Sequence, residues 1–177
     1  MPPPFMYIDP KSGTVPIGFQ GAHLLTVGRH AIREEFPFEA VSTLIVDPKL
    51  KGESHSNPWW LIAESDIGII EYYRAQTMKQ YKIRLDPPGY GSHVSIVRGE
   101  EPINKEFWHT LNGREVQFRY THLVYTNGFH WWLNVLCPEY DEIRVQLGFP
   151  PEGRSLHLTV GRVRASDVAG VVPEDLR

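Results

Sequence analysis

Two short segments of the chain repeat one another: Gly91-Ser92-His93-Val94-Ser95-Ile96-Val97-Arg98 and Ser155-Leu156-His157-Leu158-Thr159-Val160-Gly161-Arg162. Each reads His, apolar, Ser or Thr, apolar, with Arg five positions after the His. Side chains alternate faces along a strand, so His93 and Ser95 project to one side, and His157 with Thr159 does likewise. Val94, Ile96, Leu158 and Val160 then anchor the opposite face in a core. An imidazole titrates near neutrality and serves as acid or base, and a hydroxyl donates to a phosphate oxygen. Two such pairs facing across a cleft would hold one phosphodiester between a base and an acid. That arrangement calls for no metal and no cofactor, and the pattern leaves open which His is the base. A third segment, His23-Leu24-Leu25-Thr26-Val27-Gly28-Arg29, carries one leucine too many, which sets His23 and Thr26 on opposite faces of a strand.

Around this pair stand weaker candidates for substrate binding. Arg98 and Arg162 suit phosphate, but an odd offset from the His puts them on the other face unless the strand bends near Gly99 and Gly161. From Arg74 to Arg98 the chain holds Arg74, Lys79, Lys82, Arg84 and Arg98 against Asp86 alone, so the local field is positive. Tyr90 directly precedes the first motif. Trp131 and Trp132 alternate, so one must face away from the core side that the other takes. Such aromatic faces stack on nucleobases. His109, His122, His130 and Cys137 show no metal-ligand spacing, and neither a Gly-rich phosphate loop nor a Ser-nucleophile elbow is present.

Several elements must position these residues. A strand is expected at Ala40–Val46 and another at Trp59–Ala63, with Ser65 capping a helix that runs from Asp66 to about Gln80. Ala31–Phe36 suits a helical turn. After the break at Leu85–Tyr90 come a strand at Ser92–Val97 and a short helix at Pro102–Leu111. The turns Asn112-Gly113 and Asn127-Gly128 frame strands at Glu115–Tyr120 and Phe129–Leu136. Pro138 and Gly148 bracket a helix, and the last strand spans Ser155–Val163. This mixture predicts an α+β fold, with a loop-rich N-terminal arm (1–57) packed on a principal domain (58–177).

Composition excludes several classes. A chain of 177 residues suffices for one well-cored domain. With 18 Lys+Arg against 21 Asp+Glu the net charge is −3, which argues against a coat for long nucleic acid and allows at most a locally basic pocket. A lone cysteine, Cys137, forms no internal disulfide and points to a reducing compartment. No apolar run approaches the roughly 18–20 residues of a membrane span, and Met1-Pro2-Pro3-Pro4-Phe5 lacks the look of a signal peptide. A cytoplasmic protein acting on a small substrate is expected, and an oligomer is compatible with this.

The paired motifs resemble those of the two-histidine phosphoesterases, whose signature is two His-apolar-Ser/Thr-apolar strands. The stretches Gly91–Gly99, Phe129-His130-Trp131-Trp132-Leu133-Asn134 and Leu147-Gly148 are most similar to the phage branch, the anti-CBASS cyclic-oligonucleotide phosphodiesterases. This likeness covers about Trp59–Val163. It implies a bilobed α+β fold, with antiparallel sheets around a central cleft and flanking helices, and metal-independent cleavage of a phosphodiester. His93 and His157 would be the acid/base pair, with Ser95 and Thr159 holding the phosphate. In that branch the substrates are cyclic di- and trinucleotides, and the site of action would be the host cytoplasm. Alternatives are an RNA-end enzyme of the same superfamily, acting on 2′,3′-cyclic phosphates or 2′-5′ linkages, and a nucleotide-binding sponge without activity.

Overall fold

The computed structural model describes residues 5–7, 36–50, 52–53, 57–151 and 156–163. Its strands are β1 (Phe5–Tyr7), β2 (Phe38–Val46), β3 (Trp60–Ser65), β4 (His93–Arg98), β5 (Glu115–Thr126), β6 (His130–Leu136) and β7 (Leu156–Arg162). Helix α1 (Ile67–Tyr81) follows β3, and α2 (Pro138–Gln146) follows β6. The sheet runs β5-β2-β3-β4-β7-β6 and closes through β5–β6 into a six-stranded barrel, antiparallel at each of these pairings. β1 adds to β5 in parallel. The expected α+β mixture is therefore present, as one barrel. Among the described residues no helix is long and apolar enough to cross a membrane.

Barrel membership departs from the expected division of the chain. β2 lies between β5 and β3, so part of the segment assigned to an N-terminal arm is a stave of the barrel, and a boundary after residue 57 does not separate two units. Its Ser42 and Leu44 are buried, and Ser42 shares a 2.8 Å hydrogen bond with Tyr140 of α2. The β-branched, apolar run Ala40–Val46 revealed the strand, but only its distant partners make it central. The expected turn at Ala31–Phe36 and the His23 segment lie outside the described residues, except for Phe36.

Local chemistry accounts for most boundaries. The α1 N-cap is Asp66, whose Oδ1 accepts the Gly68 N–H at 2.7 Å. Ser65, the expected cap, instead bonds Ser92 side chain to side chain at 2.8 Å and ties β3 to the start of β4. On α1, Ile70, Tyr73 and Thr77 form the buried stripe. The expected helix over Pro102–Leu111 is two 3₁₀ turns, Lys105–Phe107 and His109–Leu111. Trp108, buried between them, bonds Asp47 through Nε1, and the Ile103 and Asn104 N–H groups bond Leu147 O; these anchors pin the segment before a full α-turn can form. Both Asn-Gly turns occur where expected; Asn127 Oδ1 accepts the N–H groups of Phe129 and His130. α2 begins at Pro138 and ends before Gly148, which has φ +89°.

One seam of the barrel is narrow. β3 and β4 are paired from Trp60–Arg98 to Glu64–His93, and β6 and β7 from His130–Arg162 to Val135–Leu156. β4 and β7 meet through Val94 opposite Leu158 alone. The two motifs sit on either side of that seam.

Candidate active site

Antiparallel pairing about Val94 and Leu158 sets His93 beside Thr159 and Ser95 beside His157. The imidazoles become diagonal neighbours, about 7–8 Å apart at the backbone in a regular ladder. Val94 and Leu158 are fully buried, as the alternation requires, while His93, Ser95 and Thr159 are half-buried and His157 is exposed. All four motif side chains line one cavity of about 650 Å³, within the usual range for small-molecule sites.

Both strands carry a β-bulge at the same motif position. On β4 the pairing passes from Leu61–Val97 to Ile62–Ser95, so Ile96 is an extra residue. On β7 it passes from Trp131–Gly161 to Trp132–Thr159, so Val160 is extra. An extra residue reverses the alternation beyond it. Consequently Ile96 and Val97 are buried in succession, as are Val160 and Gly161, and the exposed Arg98 and Arg162 return to the His face. Both arginines line the cavity, so the bend needed to offset their odd spacing exists in each motif.

The first motif is enclosed by aromatic rings. Trp60 Nε1 donates to Ser95 Oγ at 3.1 Å. Since the indole N–H is only a donor, the Ser95 proton stays available for another acceptor. The Trp60 ring meets His93 edge-on at 5.6 Å and carries the Arg98 guanidinium at 5.0 Å. Tyr90 lines the cavity with its ring 5.4 Å from His93 and 5.8 Å from Trp60. Burial pushes the Tyr90 hydroxyl up, with Glu64 adding to this.

His93 Nδ1 lies 3.1 Å from Gly91 O. A carbonyl only accepts, so Nδ1 carries the hydrogen and Nε2 of the neutral ring holds a lone pair. Gly91 has φ +101°, a conformation that L side chains rarely adopt, so the turn aiming its carbonyl at His93 requires glycine. Burial holds the His93 imidazole below its ordinary range; the Gly91 bond opposes this, and Arg98 adds to it.

The second motif has different neighbours. Trp132, half-buried, backs His157 with its ring at 6.1 Å and donates from Nε1 to Asn134 Oδ1. Trp131 is 2% exposed and packs on Tyr81 at 5.6 Å; of the two tryptophans it is the one turned to the core, so a base-stacking role for it is ruled out by burial. Neither ring lines the cavity.

Sequence reasoning missed Trp60, His130, Glu100 and Arg144, all of which line the cavity. Arg144 gave a signal: it falls on the buried stripe Tyr140-Ile143-Arg144 of α2, where a cation needs partners. Its Nη1 donates to Ile96 O at 2.7 Å and its Nε to Pro150 O at 3.1 Å, and Glu100 lies 3.7 Å away. Arg144 thus secures the carbonyl of the bulge residue on β4. Of the basic run from Arg74 to Arg98, only Arg98 reaches the cavity.

No family model matches the chain, and neither a curated protein nor a solved structure matches it.

Proposed function

We propose that this protein is a metal-independent two-histidine phosphodiesterase that cuts the 3′-5′ bonds of cyclic di- and trinucleotide second messengers and so disarms the bacterial CBASS antiphage alarm. The observation that carries this reading is the quartet of His93, Ser95, His157 and Thr159 on one face of two antiparallel strands, lining one nucleotide-sized cavity. The narrow seam between β4 and β7 supports the bilobed form of the fold, with β2-β3-β4 as one half and β7-β6-β5 as the other.

His93 acts as general base. Its neutral form is favoured by burial, and its Nε2 lone pair takes the proton of the ribose 2′-hydroxyl. The 2′ oxygen forms a bond to phosphorus while the bond from phosphorus to the 5′ oxygen breaks. The solvent-exposed His157 gives that oxygen a proton, leaving a linear product with a 2′,3′-cyclic phosphate. The Ser95 and Thr159 hydroxyls donate to the non-bridging oxygens, and Arg98 supplies positive charge where negative charge accumulates.

Incubation of purified protein with cyclic di- and trinucleotides in EDTA will give linear products, at higher rates than an RNA carrying a 2′,3′-cyclic end. His93→Ala and His157→Ala will each lower kcat by about 10²–10⁴-fold. Wild-type turnover in both variants overturns the catalytic assignment, tight binding with the ligand recovered intact identifies a sponge, and preference for the RNA end moves the substrate class.

A further inference from the structure

Beyond the quartet, one end of the cavity holds an imidazole and a guanidinium that the cleavage step leaves unassigned. His130 and Arg162 are direct cross-strand partners on β6 and β7, and both line the cavity. Such partners emerge on the same face, with their Cβ atoms about 5 Å apart. Both are exposed. Arg162 has no ion-pair partner among the described residues. By contrast, Arg144 is buried on two carbonyls and Arg98 lies on the Trp60 ring.

The pair is held firmly in place. Arg162 exchanges both backbone hydrogen bonds with Asp86, at 2.8 and 3.0 Å, on the side of β7 away from β6. Gly161 permits that approach, because a Cβ there would meet Asp86 O at 2.9 Å and Leu85 Cβ at 3.0 Å. On the other side, Asn127 Oδ1 accepts the His130 N–H at 2.7 Å, and the His130 ring rests edge-on against Phe129 at 4.7 Å. Burial and the neighbouring Arg162 keep the His130 imidazole below its ordinary range, which favours its neutral, N–H-donating form beside the guanidinium.

Position gives the pair its meaning. Arg162 follows Thr159 by three residues, one of them the bulge, so it stands about two strand rises, roughly 7 Å, further along the trough. That spacing is comparable with the separation of successive phosphates in a nucleotide chain.

We infer that His130 and Arg162 form an anion subsite for a second phosphate, so that the site takes substrates with at least two phosphates. This rests on the phosphodiesterase reading for the placement of the scissile phosphate at the quartet. The subsite itself is testable without turnover.

The probes are two deoxydiadenosine dinucleotides, alike except that one carries a 5′-terminal phosphate; lacking 2′-hydroxyls, neither is cleaved by the proposed route. Calorimetry at pH 7.5 with the wild-type protein will show the phosphorylated probe binding about tenfold or more tightly, as charge-assisted bonds to one phosphate warrant. Arg162→Met will abolish the discrimination, and Arg162→Lys and His130→Gln will reduce it; both side chains are exposed, so the core is spared. Equal binding of the two probes by the wild type, or undiminished discrimination in Arg162→Met, overturns the subsite. Discrimination without any turnover of cyclic dinucleotides leaves the subsite standing and removes the phosphodiesterase reading, whereas turnover without discrimination does the reverse.

Discussion

β4 and β7 carry the same sequence pattern and the same bulge, yet they present their histidines to different surroundings. His93 is half-buried, ringed by Trp60 and Tyr90, and bonded to the Gly91 carbonyl. His157 is exposed, with the Trp132 ring 6.1 Å away. The strands next to the motifs cause the difference: β3 brings an indole whose N–H reaches Ser95, whereas β6 brings His130 beside Arg162. In the proposed reaction equivalent residues take opposite roles, because burial, which neither motif encodes, favours the neutral imidazole of His93. The pattern selects the residues and the neighbouring strands assign them.

The sharpest way to break this comparison is to remove the need for an acid. A 5′-phosphorylated ribonucleoside 3′-(p-nitrophenyl phosphate) has a leaving group that departs unprotonated, so His157→Ala will recover most of the wild-type rate on it while His93→Ala remains down by about 10²–10⁴-fold. Equal losses in the two variants would abolish the division into base and acid.

A smaller effect separates the hydroxyls. Ser95→Ala and Thr159→Ala will each reduce kcat/KM by about 10- to 100-fold, as loss of a hydrogen bond to a charged group implies. Trp60→Phe, which keeps an aromatic ring and loses the N–H, will cost several-fold in the wild type and nothing further in Ser95→Ala, while remaining additive with Thr159→Ala. Additivity with both would sever Trp60 from Ser95.

The smallest effect concerns stability. His93 and His130 both bind protons less readily in the folded chain than in the unfolded one. Their contribution is therefore full above about pH 6.5, and it is lost as the pH falls through that value toward the folded pKa. Urea midpoints will decline from pH 7.5 to pH 5, and His93→Gln or His130→Gln will flatten the decline; an unchanged slope in both variants would show that other groups govern it.

What was legible in the sequence was local. Alternation about the histidines located β4 and β7, Asn-Gly pairs located two turns and with them β6, and Pro138 with Gly148 bracketed α2, because each depends on a few adjacent residues. The four motif side chains share a face for the same reason. Pairing between distant segments was not legible. Nothing near Ala40–Val46 says that it forms a stave between β3 and β5, and nothing near Trp60 says that its N–H meets a hydroxyl 35 positions away. Trp131 and Trp132 were known to face opposite ways, but choosing between them needed Tyr81, which packs on Trp131 from α1. The helix expected at Pro102–Leu111 failed for a like reason, since Trp108 and Leu147 hold that segment from outside it.

The twin bulges also bear on how related sites could be recognised in other chains. In an unbulged strand, an arginine that shares the face of its histidine must stand at an even offset, as in His-x-Ser/Thr-x-Arg. Here the offset is odd, and each strand spends one additional residue, Ile96 or Val160, to reach the same geometry. Two spellings, differing by one residue of length, therefore describe one site. A search that fixes either spelling misses the other, and deletion of Ile96 or Val160 would remove the bulge while leaving its guanidinium on the face of the histidine.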